Sequence, residues 1–163
     1  MRILGIDPGA KGALALVGPF GTLDSLHDMP TRTVRVGDKD RTRVDEVRLG
    51  ELLRDLRPDV AFLEQVGSHS GEGPMGAFAF GRSVGIVQGA LGAIGLQATE
   101  VPPQSWKRLV GVRKGPDGDR KGPAKARAAK LWPAQASVLL RARADKAEAA
   151  LIAWYGYLVM SEL

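Results

Sequence analysis

Two short apolar runs in this chain each end directly in a carboxylate. Residues Ile3 to Ile6 lead into Asp7, and residues Val60 to Leu63 lead into Glu64. Unbroken apolar runs of this length predict buried strands of a central sheet. An ionised carboxylate at the end of such a strand is costly unless it is paired or bound to a metal ion. If the two strands are neighbours, Asp7 and Glu64 lie side by side at one end of the sheet.

The remaining apolar patterns predict three more strands and a set of helices. Strands are predicted over Ala13–Val17, about Leu23–Met29 and about Gln97–Val101, and the polar, arginine-rich stretch from Pro30 to Thr42 is predicted to be a loop. Helical spacing and small-residue runs place helices at about 44–56, 75–94, 104–110, 123–131 and 144–160. This order predicts an α/β fold in which helices flank both faces of a five-stranded mixed sheet. Residues 1–163 are predicted to form one domain.

Two further acids lie on the last predicted helix. Asp145 and Glu148 are three residues apart and therefore share a helix face. The apolar run that follows them, Ala149 to Ala153, predicts that this helix is largely buried. If these acids converge with Asp7 and Glu64, their repulsion raises the pKa values unless divalent cations neutralise them. Oxygen ligands favour Mg²⁺ or Mn²⁺, and two such ions about 3.5–4 Å apart support phosphodiester cleavage.

Each acid also has a purely structural interpretation. These interpretations are a tight turn for Asp7, an exposed strand end for Glu64, an N-terminal helix acid for Asp145 and an ion pair with Arg141 or Lys146 for Glu148. Taken together, they explain less well why the acids cluster on the elements predicted to face the core. The metal-site interpretation is therefore favoured.

Composition and charge narrow the class of protein. The chain has no cysteine, which excludes disulfides and thiolate zinc sites. No apolar run approaches the ~20 residues that span a bilayer, and the first strand begins at Met1 with no room for a signal peptide. We therefore expect a cytoplasmic protein, in a bacterial cell or a phage-infected host, with no membrane partner.

A strongly basic segment lies between Gln104 and Arg127. It has eight cations against two acids, so its net charge of +6 exceeds the +5 of the whole chain. This pattern leaves two interpretations open, nucleic-acid binding and a solvated helix face. Trp106, within this segment, is interpreted as a packing residue. The cations are Lys107, Arg108, Arg113, Lys114, Arg120, Lys121, Lys125 and Arg127.

Glycines recur every four residues on the long second helix. Gly81, Gly85 and Gly89 form this stripe, and Gly92 follows one turn later. Glycine weakens a helix by ~1 kcal/mol relative to alanine, so the stripe needs a packing explanation. Close approach of a second helix across a dimer interface that includes Phe78 is one explanation, and packing against the chain's own sheet is the other.

Several blocks of the sequence resemble the RuvC-like Holliday junction resolvases, especially their phage-type branch. The resemblance is carried by the three acidic blocks Gly5–Ala13, Phe62–Val66 and Asp145–Ala153. It extends to Phe80–Gly85, which is similar to the family's dimerisation helix, and to Val101–Lys107, which is similar to a stretch that bears a DNA-contacting lysine.

The resemblance implies a homodimeric ribonuclease H-like nuclease that makes paired nicks in four-way DNA junctions. It implies that Asp7, Glu64, Asp145 and Glu148 hold two Mg²⁺ or Mn²⁺ ions, with no organic cofactor. It further implies a dimer interface at the glycine stripe with Phe78, and DNA contacts from basic residues. Those contacts are Lys107 and Lys121, to which the local charge and loop position add Arg113, Lys114, Lys125 and His69.

The sequence departs from the family pattern at three places. Glu148 stands where the family often has Asp, and Ser68 and His69 stand where many members have an aromatic wedge. The loop from Lys114 to Asp119 is similar to a small insertion. Two other functions stay open: a ribonuclease H-like nuclease acting on flaps or RNA–DNA hybrids, and a catalytically silent junction-binding protein.

Overall fold

The protein, described here from a computed structural model, is built around one five-stranded sheet. The structure describes residues 1–65, 67, 73–113, 115, 119 and 121–161. Seven strands lie within these ranges: β1 (Ile3–Asp7), β2 (Ala13–Val17), β3 (Leu23–Asp28), β4 (Thr31–Val36), β5 (Lys39–Val44), β6 (Val60–Glu64) and β7 (Ala98–Val101). The main sheet has the order β3-β2-β1-β6-β7, with β1 antiparallel to β2 and parallel to β6.

Helices cover both faces of this sheet, as the sequence predicted. They are α1 (Glu46–Leu56), α2 (Pro74–Ala93), α3 (Pro103–Val110), α4 (Gly122–Leu131), α5 (Ala136–Arg141) and α6 (Ala144–Ser161). Side chains alternate across β1: Ile3 packs with α6, α3 and α4, whereas Leu4 and Ile6 pack with α1 and α2. In the part of the chain that the structure describes, no helix is long and apolar enough to cross a membrane.

Helix α6 crosses the sheet at very short range. A Cβ atom added to Gly5 on β1 would collide with the backbone of Ala149 and Ala153, and one added to Gly156 would collide with the side chains of Phe62 and Ile3. Only a glycine therefore fits on β1 at this crossing. The close contact fixes the height at which the first turn of α6 stands above the end of β1.

The prediction of a loop from Pro30 to Thr42 is wrong. This stretch forms most of a two-stranded antiparallel hairpin, β4–β5, whose last paired residues are Val36 and Lys39. Gly37 in the turn between them has φ 59°, a conformation that suits a tight hairpin turn. Thr31, Thr33, Val34 and Val36 are β-branched residues, which favour strands. The abundant arginines concealed this preference, because they make the stretch as polar as a loop.

Candidate metal centre

The sheet brings Asp7 and Glu64 to the same edge. β1 and β6 are parallel neighbours, and their pairing runs from Ile3 opposite Val60 to Ile6 opposite Leu63. Asp7 and Glu64 are the next residues on the two strands, so both lie at the carboxyl end of the sheet. The neighbouring position that the sequence predicted for these strands is confirmed.

Helix α6 brings two more acids to this edge. Asp145 lies in its first turn, and Glu148 follows one turn later. Asp7, Asp145 and Glu148 each offer a carboxylate oxygen, and these oxygens lie within 4.8 Å of one another. Three of the four predicted ligands therefore surround a space of the size that one divalent cation needs, and all of their donor atoms are oxygens, as Mg²⁺ and Mn²⁺ prefer.

Glu64 stands beside these three acids and is held by a tryptophan. Its Oε1 accepts a hydrogen bond of 2.9 Å from Nε1 of Trp106, which is fully buried on α3. Glu64 is still close enough to raise the pKa of both Asp7 and Glu148. Trp106 thus does more than pack, which the sequence could not indicate because the contact joins residues 42 positions apart.

Burial and mutual repulsion raise the pKa values of two of these acids, Asp7 and Glu148. Burial, followed by the charges of Glu64, Glu148 and Asp145, raises the pKa of Asp7 to about 8. Burial is also the main cause that raises the pKa of Glu148, against the lowering effect of Lys107. At neutral pH the cluster therefore retains a proton in the absence of a metal ion, and a divalent cation would replace that proton.

Two cations border the acids. Lys107 Nζ lies 3.5 Å from Glu148 Oε1 and 5.0 Å from the centre of the Trp106 ring. Arg143 Nε lies 3.4 Å from Asp145 Oδ2. The alternative interpretation that paired Glu148 with Arg141 or Lys146 is wrong, because Glu148 pairs with Lys107.

The other residues predicted to contact DNA form no ion pair with the four acids in the described part of the chain. Arg113 and Lys121 are exposed, and Lys125 is half-buried on α4. His69 and Lys114 lie outside the described residues. Of the basic segment, Arg127 is used internally, because its Nε donates to the carbonyl oxygen of Val110 at 2.5 Å.

The glycine stripe of α2 faces away from the rest of the chain. Gly81, Gly85 and Gly89 are exposed, and among the described residues no atom lies within 4 Å of a Cβ built on any of them. Phe78, on the same helix, is 73% exposed. The alternative that the stripe packs against the chain's own sheet is therefore wrong.

We predict that Trp106 tunes metal affinity through Glu64. The Trp106→Phe variant keeps an aromatic ring but removes the donor, so the Glu64 carboxylate loses its fixed orientation. We expect Mn²⁺ binding, measured by titration calorimetry, to weaken about tenfold, as for other partners of metal ligands.

Trp132→Phe is the matched control for this measurement. Its Nε1 donates a hydrogen bond of the same length, 2.9 Å, to the carbonyl oxygen of Gly21 in another part of the core. Both variants should lose on the order of 1–3 kcal/mol of stability, but only Trp106→Phe should change Mn²⁺ affinity. Equal Mn²⁺ affinity in the two variants would contradict the role given to Trp106.

We predict that the metal-free protein loses stability as the pH rises towards 8. The pKa of Asp7 is higher in the folded protein than its ordinary value of 3.8, so the folded state binds more protons than the unfolded state between these limits. Asp7→Asn removes this penalty and should raise the melting temperature at pH 8 in a chelating buffer, with little change at pH 4. The same substitution should abolish the stabilisation that Mg²⁺ gives to the wild type. A variant that melts below the wild type at pH 8 would contradict this account.

Comparison with known proteins was made on sequence and on structure. No protein-family model and no curated protein matches the sequence. The solved structures that match the fold include Thermus thermophilus RuvC in complex with a Holliday junction substrate and Thermus thermophilus RuvC alone. The first has a TM-score of 0.62 at 17% identity and covers 99% of this chain and 96% of its own. The second has a TM-score of 0.58 at 17% identity and covers 99% and 97%. The predicted fold class is thereby confirmed, and the chain has the ribonuclease H-like fold of RuvC.

Proposed function

We propose that this chain is a metal-dependent endonuclease that resolves four-way DNA junctions by nicking symmetry-related strands. The observation that carries the proposal is the convergence of Asp7, Asp145 and Glu148 within 4.8 Å at one end of the sheet. The T. thermophilus RuvC that shares this fold was solved with a Holliday junction substrate. The likeness to that family, and to its phage-type branch, rests on the acidic blocks of the sequence.

The four acids are proposed as the ligands of two Mg²⁺ or Mn²⁺ ions. Such ions, when bound, polarise the scissile phosphate and lower the pKa of the attacking water. Burial raises the pKa of Asp7 to about 8, and the charges of the other three acids raise it as well. Asp7 would therefore be able to hold an ion together with Glu64 or with the α6 acids.

Lys107 is proposed as the cation nearest the scissile phosphate. Its ammonium group borders the acids, 3.5 Å from Glu148, so a phosphate drawn to the metal ions would come within its reach. A cation there would stabilise negative charge that develops on the phosphate. Arg113, Lys121 and Lys125, with Lys114 and His69, are proposed as contacts to the DNA backbone further from the cut.

Residues 1–163 are proposed as one nuclease domain that works as a two-fold dimer. The described residues of one chain contain one such cluster of acids, whereas resolution needs two nicks on symmetry-related strands. A two-fold dimer supplies the second cluster at a fixed separation that matches the symmetry of the junction. The outward-facing stripe of Gly81, Gly85 and Gly89, with exposed Phe78 beside it, supports α2 as the contact.

Two other functions have to be distinguished from this one by experiment. A ribonuclease H-like nuclease acting on flaps or RNA–DNA hybrids would need the same acids and ions. A catalytically silent junction-binding protein would not need a cluster that keeps the pKa of Asp7 as high as about 8. The cost of keeping such a cluster favours an active enzyme.

We predict that cleavage is specific for branched DNA and requires Asp7. The assay compares a mobile four-way junction, a flap, a linear duplex and an RNA–DNA hybrid, each with Mg²⁺, Mn²⁺ or a chelator. Asp7→Asn should abolish nicking while leaving junction binding intact or stronger, because it removes a metal ligand and a negative charge near the DNA.

Asp55→Asn is the control for that assay, since it makes the same chemical change at an exposed position of α1. It should cut at the wild-type rate. Faster cleavage of the hybrid than of the junction would replace the proposed substrate. Metal-independent cleavage, or full activity of Asp7→Asn, would contradict the proposed mechanism.

We predict that Gly85→Leu separates the dimer without harming the monomer. A Cβ at Gly85 meets no atom of its own described chain, and leucine favours helices over glycine, so the monomer should melt at or above the wild-type temperature. Sedimentation at micromolar concentration should show a dimer for the wild type and a monomer for Gly85→Leu.

Ala126→Leu adds a leucine at an exposed position of α4 and should remain a dimer. With junction DNA, the Gly85→Leu monomer should nick one strand at a time in place of making paired nicks. Wild-type protein that stays monomeric at micromolar concentration, with and without junction DNA, would contradict the dimer.

A further inference from the structure

The pairing of the β4–β5 hairpin collects its cations on one face. Residues directly opposite each other on antiparallel strands point to the same side of the ribbon, and the side alternates from one pair to the next. The pairs on one side contain four cations, two valines and no acid. We call this side the basic face; it consists of Arg32 opposite Arg43, Val34 opposite Arg41, and Val36 opposite Lys39.

The acids near the hairpin leave most of this charge uncompensated. Asp40 points to the other side, where its cross-strand partner Arg35 lies 3.3 Å from its carboxylate. Arg32 pairs with Glu46 at 2.8 Å. Among the residues that the structure describes, Lys39, Arg41 and Arg43 have no carboxylate within ion-pair distance.

Such an arrangement is unfavourable for the isolated chain. Like charges directly opposite on neighbouring strands, as at Arg32 and Arg43, destabilise a hairpin. A two-stranded ribbon is also marginally stable on its own. The repulsion is relieved when a polyanion lies along the face, which makes the face suited to an anionic partner of extended shape.

The hairpin also borders a cleft that reaches the turn after β1. A cleft of about 700 Å³ lies between the hairpin and α2, lined by Arg41, Arg43 and Arg82, with Asp40 as its one acid among the described residues. Ala10, three residues after Asp7, lines the same cleft. Arginines of the hairpin therefore line a cleft that reaches the turn between β1 and β2.

We propose that the basic face of the hairpin is a second DNA-binding surface, which holds the phosphate backbone of a duplex arm that extends from the cut site. The inference rests on the proposed function, because it takes branched DNA as the substrate. Arg41 and Arg43 are two residues apart on one strand face, a spacing of about 6.8 Å. At this spacing the two side chains can contact different phosphates of one DNA strand. Guanidinium groups bind phosphate through paired hydrogen bonds, so arginine suits this role.

The test measures junction binding alone, in a chelating buffer, as a function of salt concentration. The triple variant Lys39→Gln, Arg41→Gln, Arg43→Gln removes the unpaired charges of the basic face. If each charge contacts one phosphate, the slope of log affinity against log salt should become shallower by about two to three units. Affinity at low salt should fall at least tenfold.

The matched control is the triple variant Arg48→Gln, Arg54→Gln, Arg57→Gln. These three arginines are exposed on or directly after α1, and their loss changes the net charge by the same amount. A second variant, Arg41→Lys with Arg43→Lys, keeps the charge and should keep the wild-type salt slope. Thermal melts of all variants verify that the fold is retained.

The outcomes separate this inference from the proposed function. If the hairpin triple and the control triple have the same salt slope, the basic face does not bind DNA, and the inference is overturned even if the wild type cuts junctions. If the wild type binds junctions without cutting them, the nuclease is overturned, while a shallower slope in the hairpin triple still supports the inference. A wild type that binds no DNA overturns both.

Discussion

Helix α6 rests on strand β1 at backbone distance, and the metal centre depends on that contact. Gly5 leaves no room for a side chain between the strand and the helix backbone at Ala149 and Ala153. Because the helix is held so close, the carboxylates of its first two turns reach Asp7 at the strand end. A larger residue at Gly5 would lift the helix, and the oxygens would no longer lie within one coordination sphere.

This arrangement brings like charges together. Four acids meet at an end of the sheet that is partly shielded from water. Burial and the repulsion between these acids raise the pKa of Asp7. Helix α3 moderates it from one side by donating the Trp106 indole to Glu64 and by setting Lys107 beside Glu148. A divalent cation would compensate this charge more fully than one lysine does.

Dimer contact and DNA contact are proposed for different surfaces around this centre. Helix α2 buries Ser83, Val87 and Leu91 against the sheet and turns its glycines outward. The side of α2 near its N-terminus forms a cleft with the β4–β5 hairpin, so dimer contact and DNA contact are proposed for neighbouring parts of one helix.

The sequence by itself determined the five strands of the main sheet, the long helices and the four acids, because apolar period and strand-end carboxylates are local signals. The hairpin over residues 31–44 was not predicted, because the many charged residues there concealed the β-branched ones. Only the tertiary structure decided that Glu64 is held by Trp106, that Glu148 pairs with Lys107 and that the glycine stripe faces outward. The physical reason is that these facts depend on distances between side chains far apart in the chain. Those distances are set by how closely helices approach the sheet, and no local pattern encodes that approach.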